Sequence, residues 1–254
     1  MRDIWLIFCR ELSHRIRQPV WVIMGLIQPV LYMFFFGPLV QKFVDHTPGF
    51  PPGGIWTIFA PALMVQMVII GSTFVGVNLL VEYRAGVLER FRVTPASPVA
   101  LLLGKVLTVA TTVLVQSCLI VLVCHLAFGL NPSLAGMSLC LLIVGLLSMS
   151  LASCSYAIAL RVKNEEGVQA LLNALVLPVF LLSGTLLPIT AELAPGWLWN
   201  LSRINPVAYV MDASRASFRG DFTAVALPSG LIALAVMTTI SLWWGIWAFS
   251  RENN

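Results

Sequence analysis

The chain has 254 residues, 59% of them apolar and only 10% charged, with a mean hydropathy of +0.91, whereas soluble domains carry about 25% charged residues. No soluble fold hides that much apolar surface. Six apolar runs, each of about 20 residues or more, match a hydrocarbon core of about 30 Å and define an all-α polytopic membrane protein with six transmembrane helices.

Met1 to Arg17 places Ile4, Trp5, Phe8, Cys9, Leu12 and Ile16 on one helical arc and Arg10, His14 and Arg17 on the other. This pattern predicts an N-terminal amphipathic interfacial helix, with tryptophan at headgroup level and arginines toward anionic lipid. No cleavable signal peptide is expected, because the first apolar run begins only after this segment and lacks a small-residue cleavage site.

The first span is expected from Val20 to Val40, with Pro29 tolerated inside it. Phe34, Phe35 and Phe36, with Met24 and Met33, either face lipid and neighbours or line an apolar path. Lys42 to Gly54 reads as a rigid Pro/Gly loop in which His46 has no metal-ligating company. The second span runs from Ile55 to Val81, and its Gly71, Ser72, Thr73 and Gly76 are expected to allow close helix packing.

Glu82 to Pro98, EYRAGVLERFRVTPASP, is a long charged segment between two apolar runs. Glu82, Arg84, Glu89, Arg90 and Arg92 alternate with Val87, Leu88, Phe91 and Val93, predicting an amphipathic helix at the membrane surface that Thr94-Pro95 stops. On it Glu82 and Glu89 share a face, with Gly86 between them allowing close approach.

The third span is expected from Val99 to Gly129, with Lys105 snorkelling to the interface and His125, near the far end, hydrogen-bonded or interfacial rather than a proton relay. A turn at Asn131-Pro132-Ser133 leads to the fourth span, Leu134 to Leu160, whose small residues predict a tightly packed seam. The loop Arg161 to Glu166 precedes the fifth span, Gly167 to Leu187, which carries Pro178 and closes on Ser183-Gly184-Thr185 and Pro188.

Thr190 to Phe222 is too polar to span, yet it holds Trp197, Trp199, Val207, Tyr209, Val210 and Phe218. Short re-entrant outer helices between spans five and six fit this composition. Asn205-Pro206 is a helix-start signal, N-cap followed by first-turn proline. Asp212, Arg215 and Arg219, spaced by three and four, predict a surface ion network. The sixth span, Ala224 to Phe249, ends in a belt of Trp243, Trp244 and Trp247, then Arg251.

With both termini inside, eleven of the fifteen basic residues lie on the cytoplasmic side; the outside set is Lys42, Arg203, Arg215 and Arg219. That orientation satisfies the positive-inside rule. The net charge of +4 does not imply nucleic acid. Cys9, Cys118, Cys124, Cys140 and Cys154 form no C-x-x-C pair and read as buried small hydrophobes.

No G-x-x-x-x-G-K-[ST] phosphate loop, H-E-x-x-H or G-x-S-x-G occurs, so the chain is not expected to hydrolyse ATP or peptides itself. The acidic residues avoid the apolar centres of the spans, so a proton- or sodium-driven pump is not indicated. Energy for any transport then comes from elsewhere.

The chain resembles the type-2 permeases of ATP-binding-cassette exporters, the group that includes daunorubicin-resistance and nodulation-factor export permeases. The resemblance covers nearly the whole chain. It rests on Glu82-Tyr-Arg-Ala-Gly86 with Leu88-Glu89 and Thr94-Pro95, on Ser183-Gly184 with Pro188, and on Asn205-Pro206 with Tyr209, in this order on six spans.

The resemblance implies one transmembrane domain over 1–254, with Met1 to Arg17 as connecting helix. Glu82, Gly86, Leu88, Glu89, Arg90, Phe91, Arg92 and Pro95 would belong to a coupling helix docked on a separate ATPase subunit, with Arg161, Lys163 and Glu165 as a second cytoplasmic contact. Ser183, Gly184, Pro188, Asn205, Pro206 and Tyr209 would form the outer gate. This chain would carry no cofactor, ATP and Mg being held by the partner. It would pair with a second permease copy or close relative in a bacterial cytoplasmic membrane and export an amphipathic drug, lipid or lipid-linked glycan. The modest loop between the first two spans leaves no room for a sizeable extracellular domain. An ATP-independent secondary carrier and a membrane scaffold or immunity protein are the alternatives.

Overall fold

The computed structural model describes residues 2–18, 20–44, 54–86, 97–190 and 194–252. Its helices are α1 (Arg2–Ile16), α2 (Val20–Leu31), a π-helical turn (Tyr32–Phe36), α3 (Gly37–Val44), α4 (Ile55–Thr73), α5 (Val75–Arg84), α6 (Pro98–Phe128), α7 (Leu134–Val162), α8 (Glu165–Leu182), α9 (Gly196–Ser202), α10 (Pro206–Arg219) and α11 (Ala226–Glu252). Six stretches are long and apolar enough to cross a membrane: Val22–Gln41, Ile55–Arg84, Pro98–Phe128, Leu134–Val162, Glu165–Leu182 and Ala226–Arg251. The six expected spans are therefore present.

Several boundaries differ from expectation by a few residues, among them the ends of spans two and five. Span two continues to Arg84, so Glu82 lies on its last turn. The helix then stops at Ala85-Gly86, where Gly86 takes φ 70°, a conformation glycine adopts without strain. The helical face that carries Glu82 thus ends at Arg84, and Glu89 lies outside the described residues. Span five ends at Leu182, because the chain turns through Ser183 and Gly184, the latter at φ 69°.

Local chemistry sets the other ends. Ser97 caps α6, accepting from the Ala100 N–H at 3.2 Å with Pro98 following, and Gly129 closes it at φ 66°. Ser133 caps α7, accepting from the Gly136 N–H at 3.1 Å. His125 Nδ1–H donates to the Leu130 carbonyl at 2.9 Å, stitching that connection.

Span two is the centre of the bundle, with nearly every residue from Ile55 to Ile69 buried. It packs with Ile120 of α6, Ile143 and Leu147 of α7 and Met211 of α10. A second apolar cluster joins Ile7, Leu79, Leu102, Val106, Tyr156 and Phe249 at the end of the bundle that carries both termini. In hydrocarbon such contacts stabilise through close packing and interhelical hydrogen bonds, since lipid tails are as apolar as leucine.

The small-residue seam of span four is buried as expected, and its hydroxyls reach across helices. Ser148 pairs with Ser72 at 2.9 Å and Ser150 with Ser241 at 2.9 Å. Span two is broken between α4 and α5 by the same seam. The Ser155 hydroxyl donates to the Thr73 carbonyl and accepts from the Gly76 N–H at 2.9 Å, entering the i to i−4 ladder and kinking the helix. Gly76 is needed for this approach, since a Cβ there would fall 2.4 Å from the Ser155 carbonyl oxygen. Gly71, expected to pack, is exposed and has no atom of the described residues within 4 Å of a Cβ position.

Spans one and five are largely exposed in this chain. Met33 is fully buried, whereas Met24 and Phe34 to Phe36 are exposed. Gly37 of α3 passes so close to Trp56 that a Cβ would lie 2.2 Å from its ring, and Trp56 stacks on Phe128 at 3.7 Å. Helix α1 lies against the start of α6, where Gly104 leaves room for Ile7, buried though off the expected apolar arc; Trp5 and Ile16 of that arc are exposed. Cys124 and Cys140 are buried, while Cys118 is exposed.

Candidate functional site

Two groups of side chains gather residues far apart in sequence, one at each end of the bundle. At the terminal end, Lys105 is 4% exposed, and its ammonium lies 2.6 Å from Glu82 and 3.4 Å from Glu11. This corrects the expectation that Lys105 snorkels. Its stem stays within the bundle because two carboxylates, one on α1 and one on α5, come to the ammonium, and a buried charge persists only when paired. A cavity of about 30 Å³ beside the pair is bordered by Arg15, Asn78, Thr108 and Tyr156, room for about one water.

The 161–165 loop meets the same end of span two. Arg84 lies 3.1 Å from Glu165, and the Lys163 ammonium sits 5.7 Å over the Tyr83 ring. Lys163 itself caps α7 at φ 54°. Arg161 is exposed and stacks on Trp247 at 4.6 Å, as does Arg251 at 4.8 Å. The structure thus ties Tyr83 and Arg84, which lie between Glu82 and Gly86, to Lys163 and Glu165, while Arg161 packs on Trp247 instead. Leu88, Glu89, Arg90, Phe91, Arg92 and Pro95 lie outside the described residues, as does His46.

At the opposite end, Asn205 does two jobs. Its Oδ1 accepts from the Val207 N–H at 3.0 Å, capping α10 above Pro206, and its Nδ2 donates to the Val179 carbonyl at 2.7 Å. That carbonyl belongs to the last turn of span five, one of the acceptors a helix end leaves unpaired. Ser183 Oγ donates to the Phe180 carbonyl at 2.6 Å and contacts the Thr185 hydroxyl. Pro188 is buried beside this turn.

Arg215 of α10 completes the junction. It is 3% exposed, and its Nη2 donates to the carbonyls of Gly184 at 2.7 Å and Thr185 at 3.2 Å. Arg203 lies 3.2 Å from Asp212 and stacks between Trp199 at 5.4 Å and Tyr209 at 5.3 Å. The expected surface network of Asp212, Arg215 and Arg219 is therefore corrected. The spacing is as read, but Val207, Met211, Ser214 and Phe218 pull that side of α10 into the core among spans two, four and six, and Arg215 goes with them. The signal was present in the four-residue step from Met211 to Arg215, which puts the arginine on the apolar arc.

Burial pushes the Asp212 carboxyl up, against the pull of Arg215 and Arg203. Burial likewise brings the Arg215 guanidinium down to about 10, so it remains charged at neutral pH. Among the described residues no group of three or more His, Cys, Asp or Glu side chains is placed to hold a metal ion.

A six-span helical bundle with charged junctions at both ends and an apolar middle defines a multi-pass membrane protein. The profile of the ABC-2 type transporter matches residues 2–218, and the chain belongs to that family. It is 26% identical over 219 residues, 83% of this chain and 75% of the relative, to a probable doxorubicin resistance ABC transporter permease protein, DrrC, of Mycobacterium tuberculosis. It is 24% identical over 233 residues, 89% and 80% of the two chains, to the daunorubicin resistance ABC transporter permease protein DrrB1 of Streptomyces coeruleorubidus. A putative transport permease, ycf38, of Cyanophora paradoxa is 24% identical over 217 residues, 85% and 73% of the two chains.

Proposed function

We propose that this chain is the membrane-spanning permease subunit of an ATP-driven exporter. A separate ATPase subunit holds ATP and Mg and docks at residues 82–95 and at the 161–165 loop. The permease works as a pair of copies, or with a close relative, in a bacterial cytoplasmic membrane with both termini inside. Its cargo is an amphipathic drug, lipid or lipid-linked glycan, moved outward.

One observation carries this reading. The described start of the first segment, through Gly86, meets the 161–165 loop at one end of the bundle, tied by Arg84–Glu165 and Tyr83–Lys163, and Lys105 joins Glu82 to α1. Force applied there reaches spans two, three and five together as rigid-body motion. The junction of span five with α10 at the far end supplies the outer gate, with α9 and α10 as re-entrant helices. Membership of the ABC-2 family and relatives named for doxorubicin and daunorubicin resistance support the exporter class. Exposed amides at Gln28 on span one and Asn173 on span five lie on apolar faces, where hydrocarbon would leave them unsatisfied. A second copy, or a path between copies, removes that cost.

The test is purification of the tagged chain from mild detergent, with identification of co-purifying proteins and an ATPase assay. A stoichiometric soluble subunit bearing a phosphate loop, lost when residues 82–95 are disrupted, is the expected result. A chain that purifies alone, with transport that ignores ATP and collapses with the proton gradient, would make it a secondary carrier.

A further inference from the structure

Among the described residues Arg215 leaves two buried donor nitrogens without a partner. Of its donor nitrogens only Nη2 is engaged, on the Gly184 and Thr185 carbonyls; Nε and Nη1 are buried without a partner among the described residues. A buried cation with idle donors is a costly ground state. Its opposite charge is near: Asp212 lies one turn earlier on α10, with its Oδ2 held by Arg203. The carbonyls that hold Arg215 belong to the turn just beyond the end of span five, where Gly184 takes φ 69° and the backbone is no longer held by a helical ladder.

We propose that Arg215 is a two-position latch on the outer gate, bonded to the Gly184 and Thr185 carbonyls when the gate is closed and transferred to Asp212 when span five moves away from α10. This rests on the exporter reading for the meaning of open and closed. The switch is a change of acceptors for one guanidinium, and no covalent step is involved. In the closed position a single nitrogen bridges two carbonyls of the turn that follows span five. In the open position the planar guanidinium takes the carboxylate side on, using nitrogens that are idle when closed, and Arg203 keeps its stacking on Trp199 and Tyr209. Arg215 is therefore a positioning residue: it acts on the gate through the turn that follows span five. The arrangement is bistable, because leaving one set of acceptors becomes favourable only once the other set is within reach.

The two ends of the switch give opposite expectations, which a merely structural role would not. In full-length chain purified in detergent, with native cysteines replaced and Thr185→Cys introduced, the rate of reaction with a water-soluble maleimide reads the latch. Thr185 is buried, so labelling is slow in the parent. Arg215→Gln is expected to raise the labelling rate at least ten-fold, and Arg215→Lys, which keeps one donor point, to give an intermediate rate. Asp212→Asn is expected to leave the labelling rate of the purified chain within two-fold of the parent, while ATP-driven export by the complete permease–ATPase assembly in proteoliposomes falls at least five-fold. Equal labelling in Arg215→Gln and parent overturns the latch, as does faster labelling in Asp212→Asn to the same degree as in Arg215→Gln. If Arg215→Gln does not yield folded protein, the Arg215→Lys rate decides, a parent-like value overturning the proposal. A parent assembly that exports nothing with ATP would instead defeat the exporter reading, while the labelling rates still report on the Arg215 contact.

Discussion

Ser155 and Gly76 meet at the break in span two, the Gly76 N–H donating to the Ser155 hydroxyl at 2.9 Å while the same hydroxyl donates to Thr73. The contact divides span two into α4, packed in the core, and α5, which ends in Glu82 and Gly86. Ser155→Ala leaves a buried N–H and a carbonyl without partners, a loss of about 1–3 kcal/mol. Gly76→Ala forces a Cβ against the Ser155 backbone, which cannot swing away as a side chain can, and costs about 1–3 kcal/mol or more by overpacking. Thermal unfolding in detergent is expected to lower Tm in both variants, with Gly76→Ala at least as low as Ser155→Ala; a parent-like Tm for Gly76→Ala would mean the helices are not in contact there.

Lys105→Met leaves Glu82 and Glu11 facing each other without their ammonium, and breaking a buried pair from one side costs about 3–5 kcal/mol. The carboxylates are partly exposed, so the lower end of that range applies. Lys105→Met with Glu82→Gln is expected to recover part of the loss, giving a coupling of about 1–3 kcal/mol in a double-mutant cycle. Additive losses in the cycle would show that the two groups do not interact.

Arg84 and Glu165 are also an ion pair, but at 61% and 31% exposure their attraction is screened by water. Arg84→Ala is therefore expected to change stability by about 0–1 kcal/mol. Any larger effect on export than on Tm would then locate the pair's importance in coupling, which ATP-driven transport assays read directly.

Asn205 offers a graded series. Asn205→Ser keeps the N-cap oxygen but loses the donor to Val179, while Asn205→Ala loses both, at about 1 kcal/mol for the cap alone. Asn205→Asp retains the cap but sets a carboxylate against the Val179 carbonyl. Tm is expected to fall least for serine and most for alanine or aspartate. A parent-like alanine variant would exclude the double role.

The number and approximate bounds of the six spans were legible in the sequence because apolar run length is a local property measured against one bilayer thickness. The helix start at Asn205 was legible for the same reason, since a cap acts over three residues; the caps at Ser97 and Ser133 emerged only from the structure. The small-residue seam of span four was readable as a place of close approach, though not as the source of a break 79 residues away in span two. Nothing in Thr73-Phe74-Val75 announces that kink, because the hydroxyl that causes it arrives from another helix.

The charged residues divide along the same line. Spacing placed Asp212, Arg215 and Arg219 on one side of a helix, and positive charge counted by loop set an orientation, but neither says which side of α10 meets protein. In a membrane both lipid and core are apolar, so periodicity alone does not distinguish them. Only the assembled bundle turned Arg215 inward onto Gly184 and Thr185, and only it brought Glu11 and Glu82 to Lys105 from helices separated by 94 and 23 residues. Sequence determined the spans because hydrophobic length is local; tertiary structure decided the junctions because a buried charge is placed by whichever distant groups can pair with it.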